Sequence, residues 1–419
     1  MNEKKIKVMT ISDMPLSTSG VGIQTRNFIE ALLKTGRYKV VSLGGAIKHT
    51  DYKPMKTHEW GDDFVIHRVD GFGNEEVIRS MLRTEKPDIL WIMTDPRFFE
   101  WLWSMENEIR SLVPLVYYHV WDNYPNPTFN APWYNSNDKI VSISKVTNDI
   151  VNNVAPNVEN EYLPHAVNDE VYKPLDKKVV SEMREKNFGE DKNKFIFLWN
   201  NRNAKRKQSA SLIFWFKEFL DEIGHENSML IMHTDPKDVN GPDLEKIIVE
   251  LGLTDGQVMF STQKLPDNDL AVLYNIVDCT INISDAEGFG LATLESLSCG
   301  TPIIVNMTGG LQEQITNGKE FFGIPISPVS KALVGSQNVP FIYEDRISKN
   351  DFINALKEMY EMSMEERAEM GLAGREHVIN NYSYEKYTTR WVEIMDEVHE
   401  KWGSWNTRKR NKLWEMEAI

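Results

Sequence analysis

Short apolar runs alternate along the chain with longer stretches in which apolar residues recur at helical spacing. The first set of apolar runs predicts strands at residues 6–11, 39–43, 64–68, 89–93, 115–118, 139–143 and 161–163. After a charged, proline-bearing connector near residues 172–180, further strands are predicted at 195–199, 229–233, 257–260, 279–283, 302–305 and 322–326. Strands that alternate with helices are typical of parallel, doubly wound sheets. The pattern therefore predicts the α/β class, with two Rossmann-like domains facing across a cleft.

The connector predicts two domains, at residues 1–174 and 175–384, which suits a chain of 419 residues. A final helix is predicted over about 385–419, and its apolar face carries Tyr387, Trp391, Ile394, Met395 and Val398. Residues 327–340 show little periodicity, which predicts an exposed loop or a hairpin insertion.

Composition narrows the class of protein. Lys and Arg total 47 against 62 Asp and Glu, a net charge of −15, which argues against a protein that coats nucleic acid. No apolar run approaches the ~18 residues that a membrane span needs. The two cysteines, Cys279 and Cys299, lack the spacing of a metal site. We therefore expect a cytoplasmic protein without a transmembrane segment.

The segment 285–302 carries two carboxylates whose positions a plain structural helix does not explain. Glu287 follows a predicted buried strand, and Glu295 lies on the helix side that should face the protein. Gly288 and Gly290 allow close backbone approach. Because ligands of open α/β sheets bind at the carboxyl edge, these residues suit a polyhydroxyl ligand that carries phosphate. The alternative is a helix cap together with a core salt bridge.

The same segment resembles a family signature. Glu-x7-Glu within E-G-F-G-L-x-x-L-E-S-L-x-C-G-T-P is similar to the nucleotide-sugar signature of the group 1 (family four) retaining glycosyltransferases, which have a GT-B fold. The resemblance implies that Glu287 and the amides of Phe289, Gly290 and Leu291 hold hydroxyls of the donor sugar. It implies that Glu295 holds the ribose. It also makes the first domain the acceptor side and packs the final helix back onto that domain.

A basic segment follows the first strand of the second domain, with four cations at Arg202, Lys205, Arg206 and Lys207. Such a run is either a solvated face or a phosphate site. In the family an arginine followed five residues later by a lysine binds the diphosphate, and Arg202 and Lys207 keep that interval. Their role would be to neutralise charge on the leaving diphosphate. Gln208 stands where the family usually has glycine.

Two candidate features lie in the first domain. Gly20-Val21-Gly22 follows the first strand, and it forms either a simple turn or, as the resemblance implies, a loop facing the diphosphate. His119 ends another strand. It is either a packed histidine or, by resemblance, a residue that positions the donor sugar and supports the transition state. The aromatic loop at 117–134 either stacks an acceptor or packs the domain edge.

No metal site is predicted. Asp267-Asn-Asp269 has a metal-binding spacing, but it follows Pro266 and begins an amphipathic run, so helix N-capping is the better explanation. No cofactor is expected beyond the donor, for which the family favours a UDP-sugar over a GDP-sugar.

Together these features predict a retaining, metal-independent hexosyl- or pentosyltransferase that uses a nucleoside-diphosphate sugar. Alanine in place of Glu287, Arg202 or Lys207 is expected to lower transfer by orders of magnitude without unfolding the protein. The expected acceptor is a glycan or lipid-linked sugar. The alternatives are a hydroxymethylated base in DNA, for a viral enzyme in the host cytoplasm, a phosphorylase, a nucleotide-sugar epimerase, and a non-enzymatic sugar-nucleotide sensor.

Overall fold

The computed structural model describes residues 4–409. The chain divides into two compact units. The first comprises residues up to His165, residues 335–341 and residues from Glu385 onward, and the second comprises Ala166–Val334 and Ile342–Tyr384. The division after His165 precedes the predicted boundary at 174. The intervening segment bonds to the second unit, since the Val167 amide donates to the Tyr382 carbonyl (3.2 Å) and the Ser298 hydroxyl donates to the Tyr172 carbonyl (2.5 Å).

The first unit contains an eight-stranded sheet in the order β3-β4-β2-β1-β5-β6-β7-β8. Its strands are β1 (Ile6–Asp13), β2 (Tyr38–Gly45), β3 (Met55–Lys56), β4 (Phe64–Arg68), β5 (Ile89–Met93), β6 (Leu115–His119), β7 (Lys139–Ser142) and β8 (Glu159–Tyr162). All neighbours are parallel except β3, which pairs antiparallel with β4. The pattern predicted every strand here but β3, which is too short to show a period.

The helices of this unit are α1 (Gly20–Lys34), α2 (Glu75–Glu85), α3 (Glu100–Trp103), α4 (Glu106–Arg110), α5 (Ala131–Asn135) and α6 (Lys145–Val154). Polar side chains begin the longer ones. Ser19 accepts a hydrogen bond from the Gly22 amide and Asn74 accepts one from the Val77 amide, so backbone donors at the helix starts are satisfied.

The second unit contains a six-stranded parallel sheet in the order β11-β10-β9-β12-β13-β14. Its strands are β9 (Phe195–Asn200), β10 (Ser228–His233), β11 (Val258–Ser261), β12 (Cys279–Asn282), β13 (Ile303–Asn306) and β14 (Gly323–Ile326). All six were predicted. Residues 327–340 contribute to a hairpin of β15 (Ser330–Val334) and β16 (Ile342–Arg346), which is one of the two predicted alternatives.

The helices of the second unit are α7 (Lys177–Phe188), α8 (Ser209–Ile223), α9 (Leu244–Glu250), α10 (Asp267–Asn275), α11 (Leu291–Ser298), α12 (Leu311–Gln314), α13 (Lys349–Glu361) and α14 (Met364–Tyr382). The core lies between the sheet and helices such as α8 and α13, with buried Phe197, Trp199, Phe216 and Phe352 at its centre. α14 begins with a capping box of Ser363 and Glu366.

The last described helix is α15 (Tyr384–Trp402), whose buried side chains are the five predicted ones and Trp402. Trp391 lies against Phe28, Trp91 and Tyr118 of the first unit, with ring centroids 4.9, 5.9 and 4.9 Å apart. Arg390 binds Glu161 of β8 at 2.6 Å. Residues 410–419, which the predicted final helix included, lie outside the described residues.

Candidate active site

The strand order of the second unit brings two loops together. β9 and β12 are neighbours although β10 and β11 lie between them in sequence, so the chain direction across the sheet reverses at this pair. Crevices at such a reversal, at the carboxyl edge, are where open α/β sheets bind ligands. The basic segment follows β9 and the Glu287 loop follows β12. Residues far apart in sequence therefore meet at this edge.

Lys207 and Glu287 form a direct ion pair here, and both side chains are nearly buried, at 8% and 12% exposure. The Asn282 amide also donates to Glu287 Oε2, at 3.2 Å. Arg206 donates to the carbonyl of Ala286, and the Asp285 amide donates to the Arg206 carbonyl at 2.8 Å. The two loops are thus joined by backbone and side-chain bonds.

The charge state of Glu287 follows from these neighbours. Burial opposes its ionisation, but Lys207, Arg206 and the hydrogen bonds from Lys207 and Asn282 outweigh burial and lower the pKa of Glu287 to about 2. Glu287 is therefore an anion at neutral pH. An ionised carboxylate accepts hydrogen bonds from hydroxyl groups.

Close backbone packing sets the shape of the Glu287 loop. The Gly310 amide donates to the Glu287 carbonyl at 3.1 Å, and the Gln314 side-chain amide donates to the Phe289 carbonyl at 2.7 Å. A Cβ at Gly309 would overlap the carbonyl oxygen of Glu287. Gly290 adopts a left-handed conformation (φ 89°) and precedes α11, so Leu291 begins that helix.

Glu295 lies on α11 and is held by a hydroxyl. The Tyr274 hydroxyl donates to Glu295 Oε2 at 2.8 Å and accepts from the Asn200 amide at 2.7 Å. Burial raises the pKa of Glu295 to about 8 against the opposing effect of the Tyr274 hydrogen bond, and Asp267 adds to the rise. This carboxyl group is therefore largely protonated at neutral pH.

The structure does not bring Arg202 to the Lys207–Glu287 pair. Its side chain is 65% exposed and its Nε donates to Asp238 at 2.6 Å, which lowers the pKa of that carboxyl. In this geometry the Arg202 guanidinium is already engaged by a carboxylate. Arg206, which sequence reasoning assigned no role, is the arginine that contacts the Glu287 loop.

Gln208 begins α8 in a left-handed conformation (φ 56°), where glycine would be unstrained. Its side-chain amide donates to Asp285, which also binds Arg346 of β16 at 2.6 Å. Burial raises the pKa of Asp285 to about 6, although Gln208 and Arg346 oppose the rise. The base of the hairpin is therefore attached to the loop that carries Glu287.

His119, in the first unit, is fully buried. Its ring lies between Tyr117 and Tyr134, and Nε2 is 2.8 Å from the Tyr134 hydroxyl. Burial lowers the pKa of His119 to about 3, so the ring is neutral. Nδ1 is buried and has no hydrogen-bond partner among residues 4–409. This is the geometry of a packed histidine. Elsewhere in the aromatic loop Trp121 is buried and contacts Phe129, whereas Tyr124 is exposed.

Gly20, Val21 and Gly22 form the first turn of α1. The loop before this helix therefore ends at Ser19, whereas the sequence had predicted a loop that includes the two glycines. A Cβ at Gly22 would crowd the Met14 carbonyl and the Ser17 hydroxyl, so the glycine lets the preceding loop fold onto the helix start. The Ser19 hydroxyl donates to Asp13 at 2.6 Å.

Several contributing residues were missed at the sequence level. Arg206 was visible as part of the basic run, but nothing in its spacing separated it from its neighbours. Asn282 lies in an apolar strand and Tyr274 at a core position of α10, where a polar tip carries no distinct signal. Their contacts with Glu287 and Glu295 depend on the strand order.

The N-capping explanation for Asp267 is wrong in detail. α10 takes Pro266 as its N-cap with no side-chain cap bond, because the proline ring has no hydrogen-bond acceptor, and Asp267 and Asp269 lie in the first turn. Their charge favours the helix start. Within residues 4–409, no group of three or more His, Cys, Asp or Glu side chains is placed to hold a metal ion. Over that same span, no helix has the length and apolar content to cross a bilayer.

Comparison with known proteins identifies the class. Residues 180–377 match the model of the family "Glycosyl transferases group 1". The match covers a little under half of the chain and includes Arg202, Lys207, Glu287 and Glu295. The resemblance drawn from the signature is confirmed.

A curated relative and two solved structures extend the comparison. The D-inositol 3-phosphate glycosyltransferase of Streptosporangium roseum is 36% identical over 75 residues, 18% of this chain and 17% of the relative. The sucrose-phosphate synthase of Thermosynechococcus elongatus matches with a TM-score of 0.75 and 16% identity, over 95% of this chain and 100% of that one. Anabaena HepE in complex with UDP and glucose matches with a TM-score of 0.68 and 15% identity, over 94% and 100%. The GT-B fold class is confirmed.

Proposed function

We propose that this protein is a retaining glycosyltransferase that moves a sugar from a nucleoside-diphosphate sugar to a hydroxyl acceptor. The observation that carries the proposal is the buried Lys207–Glu287 pair at the carboxyl edge of β9 and β12. A permanent anion suits the donor sugar's hydroxyls, and the adjacent cations suit its diphosphate. The family match over 180–377 supports the same reading.

The chemistry needs no covalent enzyme intermediate and no metal. In a front-face displacement the acceptor oxygen bonds to the anomeric carbon as the bond from that carbon to the diphosphate oxygen breaks. The acceptor proton leaves with the diphosphate. Lys207 stabilises the charge on the leaving group, with Arg206 close to the same loop. Arg202 has the same assigned role, which requires its guanidinium to leave Asp238. Glu287, with the amides of 289–291, positions the sugar.

For the donor we favour a UDP-sugar over a GDP-sugar and a hexose over a pentose. Glu295 is assigned to the ribose hydroxyls, with Tyr274 as a positioning residue. Gly20, Val21, Gly22 and His119 keep their assigned roles beside the donor as part of this proposal. For His119 that role requires the ring to act through Tyr134 or to become exposed, because its side chain is buried.

For the acceptor, the names of the matched proteins favour a small anionic polyol. One is named for inositol 3-phosphate and one for sucrose phosphate. This class now stands ahead of the glycan or lipid-linked acceptor that the sequence suggested. Neither matched name concerns DNA, and nothing else supports a DNA acceptor. Adding free phosphate without an acceptor tests for a phosphorylase, which would form a sugar phosphate. Incubating the nucleotide sugar alone tests for an epimerase, which would change the sugar without any acceptor.

The test compares Lys207→Ala with Lys205→Ala, a matched change at an exposed lysine two residues away. With UDP-glucose and a panel of acceptors, we expect the Lys207 variant to lose at least 100-fold in kcat/KM and the Lys205 variant to stay within threefold. Equal activity of the two variants would show that Lys207 has no role in sugar transfer. The anomeric configuration of the product, read by NMR, tests retention.

The variants are expected to remain folded, but two of them should be less stable than the unaltered protein. Removing one partner of a buried ion pair costs about 3–5 kcal/mol, because the other charge is left unpaired. Lys207→Ala and Glu287→Ala are therefore expected to lower the melting temperature. Circular dichroism at the assay temperature must show folded protein before their kinetics are interpreted.

A further inference from the structure

The hairpin of β15 and β16 is inserted between β14, the last strand of the second sheet, and α13. It forms a two-stranded sheet of its own, and within the described chain no third strand pairs with it. Apolar side chains at its start are exposed, Val329 at 60% and Leu333 at 61%. Because two strands alone are only marginally stable in water, the polar contacts at the base of the hairpin matter for its position.

These contacts join the base of the hairpin to the loops that follow β12 and β13. The Asp345 amide donates to the Asp285 carbonyl at 2.8 Å, and Arg346 Nη1 donates to Asp285 Oδ2 at 2.6 Å. The Asn306 side-chain amide donates to the carbonyls of Ser284, at 2.8 Å, and Asp345, at 3.0 Å. The hairpin is thus bonded to the carboxyl ends of two neighbouring strands of the second sheet.

Asp285 is shared by three segments of the chain. Its side chain is 3% exposed and accepts hydrogen bonds from Gln208, at the start of α8, and from Arg346 of the hairpin. Its amide donates to the Arg206 carbonyl at 2.8 Å. A buried carboxylate that loses its cationic partner is costly, so the loop is expected to rearrange when Arg346 is removed. Because one residue separates Asp285 from Glu287, such a rearrangement moves Glu287.

We propose that Arg346 is a positioning residue for nucleotide-sugar binding: by holding Asp285, it fixes Glu287 where the hydroxyls of the donor sugar reach it. The inference rests on the proposed function, in which Glu287 holds the sugar. The other terminal nitrogen of Arg346 donates to Glu344 at 2.7 Å, so the guanidinium is engaged by two carboxylates and acts through Asp285. Its loss should weaken binding of the sugar more than binding of the nucleotide.

The experiment compares two variants of Arg346 with a matched control. Arg346→Gln removes the positive charge, and Arg346→Lys keeps it. The control is Arg184→Gln, because Arg184 binds Asp278 at 3.1 Å directly before β12, whereas Asp285 follows the same strand. The two arginines therefore hold opposite ends of one strand. The control removes the more buried of them, since Arg184 is 18% exposed and Arg346 is 37% exposed.

Each variant is titrated by calorimetry with UDP-glucose and with UDP, after a melting curve has shown folded protein at the assay temperature. We expect Arg346→Gln to bind UDP-glucose at least tenfold more weakly and UDP within threefold, because UDP has no sugar for Glu287 to hold. Arg346→Lys should recover at least threefold of the loss. Arg184→Gln should leave both affinities within threefold, although it lowers the melting temperature at least as much.

Three results would overturn the inference. They are an unchanged affinity of Arg346→Gln for UDP-glucose, equal losses for UDP and UDP-glucose, and the same selective loss in Arg184→Gln. In each of them the unaltered chain still binds the nucleotide sugar and transfers its sugar, so the proposed function stands. GDP-glucose and GDP replace the two probes if the unaltered chain prefers guanine. An unaltered chain that binds neither nucleotide sugar would remove the proposed function, and the role of Arg346 with it.

Discussion

At the residue scale, Gln208 makes two opposing contributions to stability. Its left-handed backbone (φ 56°) is strained, while its side chain donates to Asp285. Because glutamine stands where the family usually has glycine, the sequence did not predict how the chain enters α8. The structure shows that the helix begins directly at Ser209 and that the glutamine gains a contact that glycine lacks.

Two substitutions separate these contributions. Gln208→Ala and Gln208→Gly both lose the Asp285 bond, so they differ mainly in backbone strain. We predict that the glycine variant is more stable than the alanine variant by about 1 kcal/mol, since glycine adopts positive φ freely. Urea unfolding measures the difference. If the alanine variant were at least as stable as the glycine variant, the left-handed backbone at residue 208 would not be strained.

Glu295 predicts a pH dependence of stability. Its pKa in the folded protein, about 8, is above its ordinary value of 4.5, so the folded state resists ionisation that the unfolded chain permits. Its contribution to stability therefore falls as pH rises from about 4.5 through 8. We predict that Glu295→Gln gains stability relative to the unaltered protein between pH 6 and pH 9, as measured by melting temperature.

The control for this prediction is Glu369→Gln, a change at an exposed glutamate of α14. Its difference from the unaltered protein should be the same at both pH values. A difference for Glu295→Gln that is also constant from pH 6 to pH 9 would show that burial does not raise the pKa of this carboxyl group.

At the element scale, the loop between β12 and α11 depends on a second loop, which follows β13. Gly309 and Gly310 lie directly against Glu287, Gly288 and Phe289. The signature at 285–302 was recognisable because its glycines and carboxylates are close in sequence. The dependence of this segment on Gly309 could not be recognised from the sequence, because the two loops meet only when β12 and β13 pair.

Gly309→Ala and Gly318→Ala form a matched pair. Both glycines have positive φ, 49° and 87°, but a Cβ at Gly318 meets nothing within 4 Å, whereas one at Gly309 would overlap the Glu287 carbonyl. We predict that Gly318→Ala costs only the backbone strain, about 1–2 kcal/mol, and retains nucleotide-sugar binding. Gly309→Ala should lose more stability and at least tenfold in donor affinity, measured by calorimetry with UDP-glucose.

If the two alanine variants bound UDP-glucose equally well, the contact between Gly309 and the Glu287 loop would have no part in shaping the donor site. A melting curve for each variant shows whether lost affinity comes with a folded protein. A Gly309→Ala variant that is folded at the assay temperature gives the decisive comparison.

At the scale of the whole molecule, the last described helix completes the core of the first unit. Trp391 of α15 is fully buried among Phe28, Trp91 and Tyr118. We predict that Trp391→Ala lowers the free energy of unfolding by about 3–5 kcal/mol, the usual cost of removing a buried aromatic side chain. Denaturant unfolding followed by circular dichroism gives the value.

The matched control on the same helix is Glu400→Ala, whose side chain is exposed. It should change the free energy of unfolding by no more than about 0.5 kcal/mol. A comparable small effect for Trp391→Ala would mean that the first unit does not need α15 for its stability.

Sequence patterns were sufficient to predict the order and type of most strands, the buried face of α15 and the family signature around Glu287. These features follow from periodicity and from residue types that are neighbours along the chain. The folded structure was needed to show that Lys207 binds Glu287, 80 residues away, that Arg202 binds Asp238 instead, and that Tyr274 holds Glu295. Such contacts depend on which strands lie side by side, and local spacing carries no information about strand order.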